Sequence, residues 1–121
     1  TYGENETATI TGLIADVGTL DTHAVSIDWG DGTTSAATVD SALRIFTATH
    51  IYADDNPTTT ASDSYTVTAT ATDDDTGMDK VSTTVKISNV APHVALDAVV
   101  AIVVNGIATL SGTVTAPGTE D

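Results

Sequence analysis

Polar and apolar residues alternate with a period of two along most of this chain. The alternation is clearest in residues 65–72, where tyrosine, valine and alanine take every second position and threonine fills the others. Successive side chains of a β-strand point to opposite faces, so this pattern predicts a strand with one buried face. Less extended forms of the same pattern predict further strands at residues 7–14, 25–29, 45–50 and 81–88.

Turn-forming residues separate these predicted strands. Each of the segments 17–19, 30–32, 54–57, 73–77 and 105–106 contains glycine, asparagine, aspartate or proline. Apolar residues do not recur at helical spacing over any stretch long enough to predict a helix. Short strands that follow one another without helices predict an all-β fold, an antiparallel β-sandwich.

The beginning of the chain resembles its end at an offset of 100 positions. Seven of 21 ungapped positions are identical, namely Asn5, Ala8, Thr9, Gly12, Gly18, Thr19 and Asp21 with Asn105, Ala108, Thr109, Gly112, Gly118, Thr119 and Asp121. A period of about a hundred residues is typical of tandem sandwich domains. Because Pro92 stops a strand, we divide the chain into one repeat with a truncated first strand (1–90) and the opening strands of the next repeat (91–121).

This division predicts an exposed sheet edge in the first repeat. Residues 93–104 form the first strand of the second copy, and their counterpart would precede Thr1. An uncovered edge strand invites association with other strands. The C-terminal segment contains an Asn105-Gly106 hairpin signal. Three arrangements are open for it: it folds back onto this edge, it docks on a neighbouring molecule, or it stands apart from the first repeat.

Four motifs follow one another in a specific order. They are DWGDGT at 28–33, His50-Ile51-Tyr52, Tyr65-Thr66-Val67-Thr68 and the acidic turn at 73–77. Over about residues 7–90 this set resembles the PKD (polycystic kidney disease) domain family, which is marked by a W-D-F-G-D-G-like turn, an H-x-Y and a Y-T-V-x-L-x-V-T-D strand and turn. The chain departs from that pattern at Ile27 and Trp29, where the family has tryptophan and phenylalanine, and in the longer segment 53–64. The resemblance implies an Ig-like β-sandwich of about seven strands, an extracellular setting and no catalysis by the domain itself.

DWGDGT has two interpretations. In one, Asp28 and Asp31 form an acid pair that binds a ligand or acts in catalysis. In the other, which we favour, it is a hairpin turn in which Trp29 is buried and Asp31 accepts backbone hydrogen bonds. His50 and Tyr52 likewise predict a structural corner, with the tyrosine hydroxyl bonded to backbone. No nucleophile and base are paired by any motif, so we do not expect an enzyme.

The charge of the chain narrows the classes of partner. Seventeen acids face three bases, which gives a net charge of -14. No basic surface is available for nucleic acid or an anionic membrane. The longest apolar run, residues 98–104, is too short to cross a bilayer. Clustered carboxylates instead favour a hard cation such as calcium.

A candidate calcium site lies in two predicted loops. In an Ig-like topology, the loop containing Asp16 and Asp21 and the turn containing Asp73, Asp74 and Asp75 lie at the same end of the sandwich. The PKD resemblance implies that calcium at this end is bound by the segment before the domain and by the two loops. It therefore adds Asn5, and the site reads Asn5, Asp16, Asp21, Asp73, Asp74 and Asp75. The alternative is a solvated acidic turn.

The acids of the long segment 53–64 have their own two interpretations. Asp54, Asp55 and Asp63 are expected at the other end of the sandwich. There they either meet the following repeat or are solvated.

The predicted function is that of a non-catalytic spacer or adhesion repeat in a long extracellular or surface protein. Calcium would stiffen the joints between repeats. The expected partners are neighbouring repeats, with other surface proteins or polysaccharide as further candidates. The alternative is an accessory substrate-binding module of a secreted hydrolase, which predicts an exposed aromatic platform.

Overall fold

A computed structural model describes residues 1–55 and 59–118 and shows ten strands in them, without a helix. All five predicted strands are confirmed, but the total exceeds the expected seven. The additional strands are short pieces that carry too few residues to show alternation in sequence. The strands are β1 (Tyr2–Gly3), β2 (Thr7–Leu13), β3 (His23–Asp28), β4 (Thr34–Ala36), β5 (Thr38–Asp40), β6 (Ile45–Ile51), β7 (Ser62–Asp73), β8 (Met78–Ser88), β9 (His93–Leu96) and β10 (Gly112–Thr115).

Eight of these strands form two packed sheets. One sheet has the order β1-β8-β7-β3-β4 and the other has the order β2-β6-β5. Neighbouring strands are antiparallel except for β1 and β8, which run parallel. Because consecutive strands cross between the sheets, the all-β sandwich predicted from the sequence is confirmed as an Ig-like arrangement.

The register of the strands explains the core. Ile27 lies opposite Ala69 on β7, and Tyr65 lies opposite Val85 on β8, so apolar positions of neighbouring strands share one face. Trp29 directly follows β3 and is only 1% exposed. The buried core consists of Ala8, Val25, Ile27, Trp29, Phe46, Ala48, Tyr52, Val67, Ala69, Val85 and Ile87.

The C-terminal segment forms a separate two-stranded sheet. In the described part of the chain, β9 and β10 pair only with each other. Of the predicted strand at 93–104, only His93–Leu96 is a strand. Three positions of the predicted repeat, residues 119–121, lie outside the described residues, as does the Asn56-Pro57 turn signal.

The two halves of the sequence repeat share a turn geometry. Asn5 and Asn105 both adopt positive φ angles, 58° and 62°. Around them, the Glu6 amide donates to the Gly3 carbonyl at 3.1 Å, and the Gly106 amide donates to the Val103 carbonyl at 2.9 Å. The offset of 100 therefore relates two turns of the same conformation.

No helix within the described residues has the length and apolar character that crossing a membrane requires.

Candidate metal site

The connections of the sandwich collect at two ends. The first, which we call the Asp16 end, holds the β2–β3 loop, the β5–β6 turn and the β7–β8 turn. The second, the Glu4 end, holds the turn between β1 and β2, the DWGDGT turn, the segment after β6 and the end of β8. The directions of the longer strands, β2, β3, β6, β7 and β8, decide this assignment, because each of them carries the chain from one end to the other.

The predicted calcium residues divide between these ends. Asp16, Asp21 and the acids Asp73, Asp74 and Asp75 lie at the Asp16 end. Asn5 lies at the other end, since it precedes β2 and its amide donates to the Tyr52 carbonyl at 2.8 Å. The structure therefore brings five of the six predicted ligands to one end and does not bring Asn5 to them.

Asp16 stabilises the β2–β3 loop through both of its carboxylate oxygens. Its Oδ1 accepts a hydrogen bond from the Gly18 amide at 2.9 Å, and its Oδ2 lies 2.8 Å from His23 Nε2. These hydrogen bonds, first the one from Gly18 and then the one from His23, lower the pKa of Asp16. The Arg44 guanidinium donates to the carbonyls of Asp16 and Gly18 and fixes the same loop.

Two other acids at this end also accept backbone hydrogen bonds, Asp73 within its own turn and Asp74 from the β2–β3 loop. Asp73 Oδ1 accepts from the Gly77 amide at 2.6 Å, and Asp74 Oδ1 accepts from the Thr22 amide at 3.1 Å. Desolvation raises the pKa of Asp21, and the charges of Asp16 and Asp74 raise it further. The result is an acidic surface in which most carboxylates already serve the loops.

The DWGDGT segment is a tight turn around a buried indole. Trp29 Nε1 donates to Ser35 Oγ at 2.9 Å, and its backbone carbonyl accepts from the Tyr52 hydroxyl at 2.9 Å. The predicted structural role of Tyr52 is thus confirmed. Desolvation, followed by the charge of Asp31, raises the pKa of Tyr52 to about 12.

Asp31 and His50 form a hydrogen-bonded pair beside this turn. His50 Nε2 lies 2.6 Å from Asp31 Oδ2, and Thr33 Oγ1 donates to Asp31 Oδ1 at 2.6 Å. Partial burial opposes ionisation of Asp31, but the hydrogen bonds from Thr33 and His50 outweigh it and lower its pKa. Since the Thr33 hydroxyl proton points to the carboxylate, this trio braces the hairpin and does not present an activated nucleophile.

Three buried carboxylates converge at the Glu4 end. Glu4, Asp54 and Asp55 are 2%, 8% and 1% exposed. Each offers one oxygen, and these oxygens lie within 4.8 Å of one another. In the described part of the chain, this is the one group of three or more His, Cys, Asp or Glu side chains with such convergence.

Backbone hydrogen bonds hold two of these side chains in position. The Glu4 amide donates to the Ser88 carbonyl at 3.1 Å, and Glu4 Oε1 accepts from the Val90 amide at 2.8 Å. Asp54 Oδ1 accepts from the Asp55 amide at 2.9 Å. Glu4 therefore links the segment before β2 to the exit from β8, and Asp54 holds the segment after β6.

The second oxygens of Glu4 and Asp54 have no such support. Glu4 Oε2 and Asp54 Oδ2 are buried, and neither has a hydrogen-bond partner among residues 1–55 and 59–118. Neither side chain forms an ion pair with a lysine or arginine of those residues. Buried carboxylates whose oxygens lie within 4.8 Å of one another require neutralisation, either by protons or by a cation. The triad of Glu4, Asp54 and Asp55 can therefore hold a metal ion.

The sequence interpretation did not find this triad. Asp54 and Asp55 were expected to be solvated or to meet the following repeat, and both are buried instead. Asp63 lies within β7 and accepts a hydrogen bond from the Thr60 hydroxyl. Glu4 is brought to Asp54 and Asp55 by the pairing of β1 with β8, a contact that carries no spacing signal. The one available hint was that two acids directly follow the H-x-Y corner.

Comparison with protein-family models, curated proteins and solved structures gave no match for this chain.

Proposed function

We propose that the chain is a non-catalytic structural repeat of a long extracellular or surface protein, stiffened by calcium. The observation that carries this proposal is the convergence of the buried carboxylates of Glu4, Asp54 and Asp55, in which Glu4 Oε2 and Asp54 Oδ2 have no hydrogen-bond partner among residues 1–55 and 59–118. Among residues 1–55 and 59–118, it is the acidic group whose carboxylate oxygens converge.

Calcium is the cation that best suits these donors. It takes six to eight oxygen ligands in flexible geometry, from carboxylates and backbone carbonyls alike. The triad supplies three carboxylates, and its residues lie outside the strands. Magnesium demands near-ideal octahedral geometry and keeps several waters, which suits a buried cluster less well.

A cation in the triad would act on the joints of the repeat. Glu4 lies in the segment that leads into β2, and it contacts Val90 where the chain leaves β8. Asp54 and Asp55 belong to the body of the sandwich, after β6. One ion would therefore tie the incoming and outgoing segments to the same domain, which is how a spacer resists bending at its joints.

The charge of the chain supports an extracellular setting and a protein partner. A net charge of -14 repels itself unless cations screen it, and extracellular calcium modules work at millimolar affinity. We propose neighbouring repeats as the partners, with other surface proteins as further candidates. The alternative, a polymer-binding module of a hydrolase, needs exposed aromatic side chains, whereas all five aromatics of this chain are buried or half-buried: Tyr2, Trp29, Phe46, Tyr52 and Tyr65.

Thermal unfolding of the full chain tests the calcium part of the proposal. At calcium concentrations about a hundredfold above the dissociation constant, binding to the folded state adds about 2.7 kcal/mol. The melting temperature in calcium should then exceed that in chelator by about 10 °C or more. Magnesium at equal concentration is the control. Equal melting temperatures in calcium and in chelator would contradict calcium binding.

A further inference from the structure

We infer that the exposed edge of β2 is a docking site for the β9 segment of a second copy of this chain. The incoming strand would run antiparallel to β2 and cover one side of the sandwich. This inference does not depend on calcium, because it uses none of the three carboxylates of the triad.

The sandwich is open on the side between β2 and β8. Within the described residues, β2 pairs with β6 alone, and β1 covers β8 only at Ile87 and Ser88. A groove of about 530 Å³ lies between the two strands, with Phe46, Val67 and Ala69 lining it further in. Its described lining residues carry no charge.

Val81 marks this groove as an uncovered part of the core. It lies opposite the buried Ala69 and shares its face of β8 with Val85 and Ile87. Those two residues are 8% and 0% exposed, whereas Val81 is 63% exposed. An inward-facing valine so exposed lacks a neighbour that the geometry of the sandwich leaves room for.

The chain itself displays the strand that fits this edge. At the offset of 100 positions, β10 is the counterpart of residues 12–15, the last part of β2 and the residues after it. In the structure, β9 lies antiparallel to β10, with Leu96 opposite Gly112. The same pairing on β2 sets Leu96 opposite Gly12, on the inward face above Phe46. β9 can therefore pair with the end of β2 in the register in which it pairs with β10.

A side-chain contact supports the same register. Ser111 Oγ donates to Asp97 Oδ2 at 2.6 Å, and the Asp97 amide donates to the Ser111 carbonyl at 2.9 Å. The counterpart of Ser111 is Thr11, which is exposed on β2 and offers an equivalent hydroxyl. Asp97 of a second copy can therefore make the contact with Thr11 that it makes here with Ser111.

The donor segment is available. All four residues of β9 and all four of β10 are exposed, and a two-stranded sheet is at best marginally stable alone. Between residues 93 and 119 the single acidic residue is Asp97, in a chain whose net charge is -14, so this segment brings little repulsion to the contact. When β9 moves from β10 to β2, it gives up a solvent-exposed ladder of four residue pairs and forms a ladder beside the core.

The contact is head-to-tail. A C-terminal segment of one copy enters the edge of another, so the surfaces are different and association continues unless two copies exchange segments reciprocally. Higher ionic strength should strengthen it, because salt screens the repulsion between acidic copies.

Sedimentation velocity of the full chain over a range of concentrations tests the inference. We expect concentration-dependent dimers or longer species. Leu96→Lys on the donor and Val81→Lys in the groove should each weaken association by about tenfold or more, since each places a charge in an apolar contact. Leu43→Lys is the matched control, because Leu43 is 67% exposed and Leu96 is 68% exposed. It should leave association intact.

The outcomes separate clearly. A chain that stays monomeric at every concentration would overturn the inference, and so would a monomer whose own β9 segment covers the groove. Association that persists in Leu96→Lys would also overturn it. All three lysine variants make the chain less acidic, so a non-specific charge effect would strengthen association in each. Trp29 fluorescence reports whether the sandwich of each variant remains folded. If Val81→Lys unfolds, Leu96→Lys still tests the inference, because Leu96 lies outside the sandwich.

Discussion

Glu4→Gln should change stability in opposite directions with and without calcium. Glutamine keeps the acceptor oxygen that receives the Val90 amide and removes one of the three converging negative charges. Without a cation, removing that charge relieves repulsion in the triad. With calcium, the same change removes a ligand.

The size of the effect follows from the spacing of the oxygens. Two unit charges 4.8 Å apart repel by about 3 kcal/mol at an effective dielectric of about 20. Side-chain relaxation removes much of this, so we expect Glu4→Gln to raise the free energy of unfolding in chelator by at least about 1 kcal/mol. That corresponds to about 4 °C or more in melting temperature. If the variant binds calcium tenfold more weakly, the calcium stabilisation falls from about 2.7 to about 1.4 kcal/mol.

The assay is circular dichroism melting of the variant in chelator and in saturating calcium, with calcium titration by calorimetry. Glu6→Gln is the matched control, because Glu6 is exposed, lies in the same turn and accepts only the Gly3 amide at 2.8 Å among its described contacts. It should leave both melting temperatures nearly unchanged. Asp21→Asn tests the rival site predicted from the sequence at the Asp16 end.

Two results would refute the reasoning. A Glu4→Gln variant that melts lower than the wild-type chain in chelator would mean that the third carboxylate stabilises the triad without metal. A calcium-induced shift that is unchanged in Glu4→Gln but lost in Asp21→Asn would move the calcium to the Asp16 end.

Three further outcomes are expected from the DWGDGT region. Gly30→Ala should destabilise the fold by at least about 1 kcal/mol more than Gly32→Ala in denaturant unfolding. Both glycines have positive φ, but a Cβ on Gly30 would lie 2.5 Å from the Thr66 carbonyl oxygen. Equal losses in the free energy of unfolding would contradict this. The pKa of Tyr52 is raised from 10.0 to about 12, so its contribution to stability is full below pH 10 and is lost as pH rises toward 12, a loss that Tyr52→Phe should not show. The pKa of Asp31 is lowered from 3.8, so its contribution to stability is full above that pH and is lost in stronger acid. Acid unfolding monitored by Trp29 fluorescence should therefore be less steep in Asp31→Asn. An unchanged acid profile would count against the pairing of Asp31 with His50.

Much of the sandwich was predictable because its signals are local. The alternation of residues 65–72 and 81–88 predicts β7 and β8 directly, since a half-buried strand repeats every two residues. β4 and β5 have three residues each and were not predicted, because so short a segment shows no period. The end of the sandwich predicted for Asn5 was wrong, because no local pattern around Asn5 shows at which end it lies. Its place at one end depends on the direction of β2, and the resemblance had suggested the other end.

The sequence by itself determined the class of fold, the burial of Trp29 and the acidity of the surface, because each depends on residue type and near neighbours. Only the tertiary structure decided which acids meet. Glu4 contacts Val90 across 86 positions of sequence, and it meets Asp54 and Asp55 because β1 lies beside β8 at the end where β6 finishes. Proximity of this kind arises from sheet pairing, which depends on every strand between the two residues. The local pattern around an aspartate therefore cannot distinguish a solvated carboxylate from one that shares a buried site.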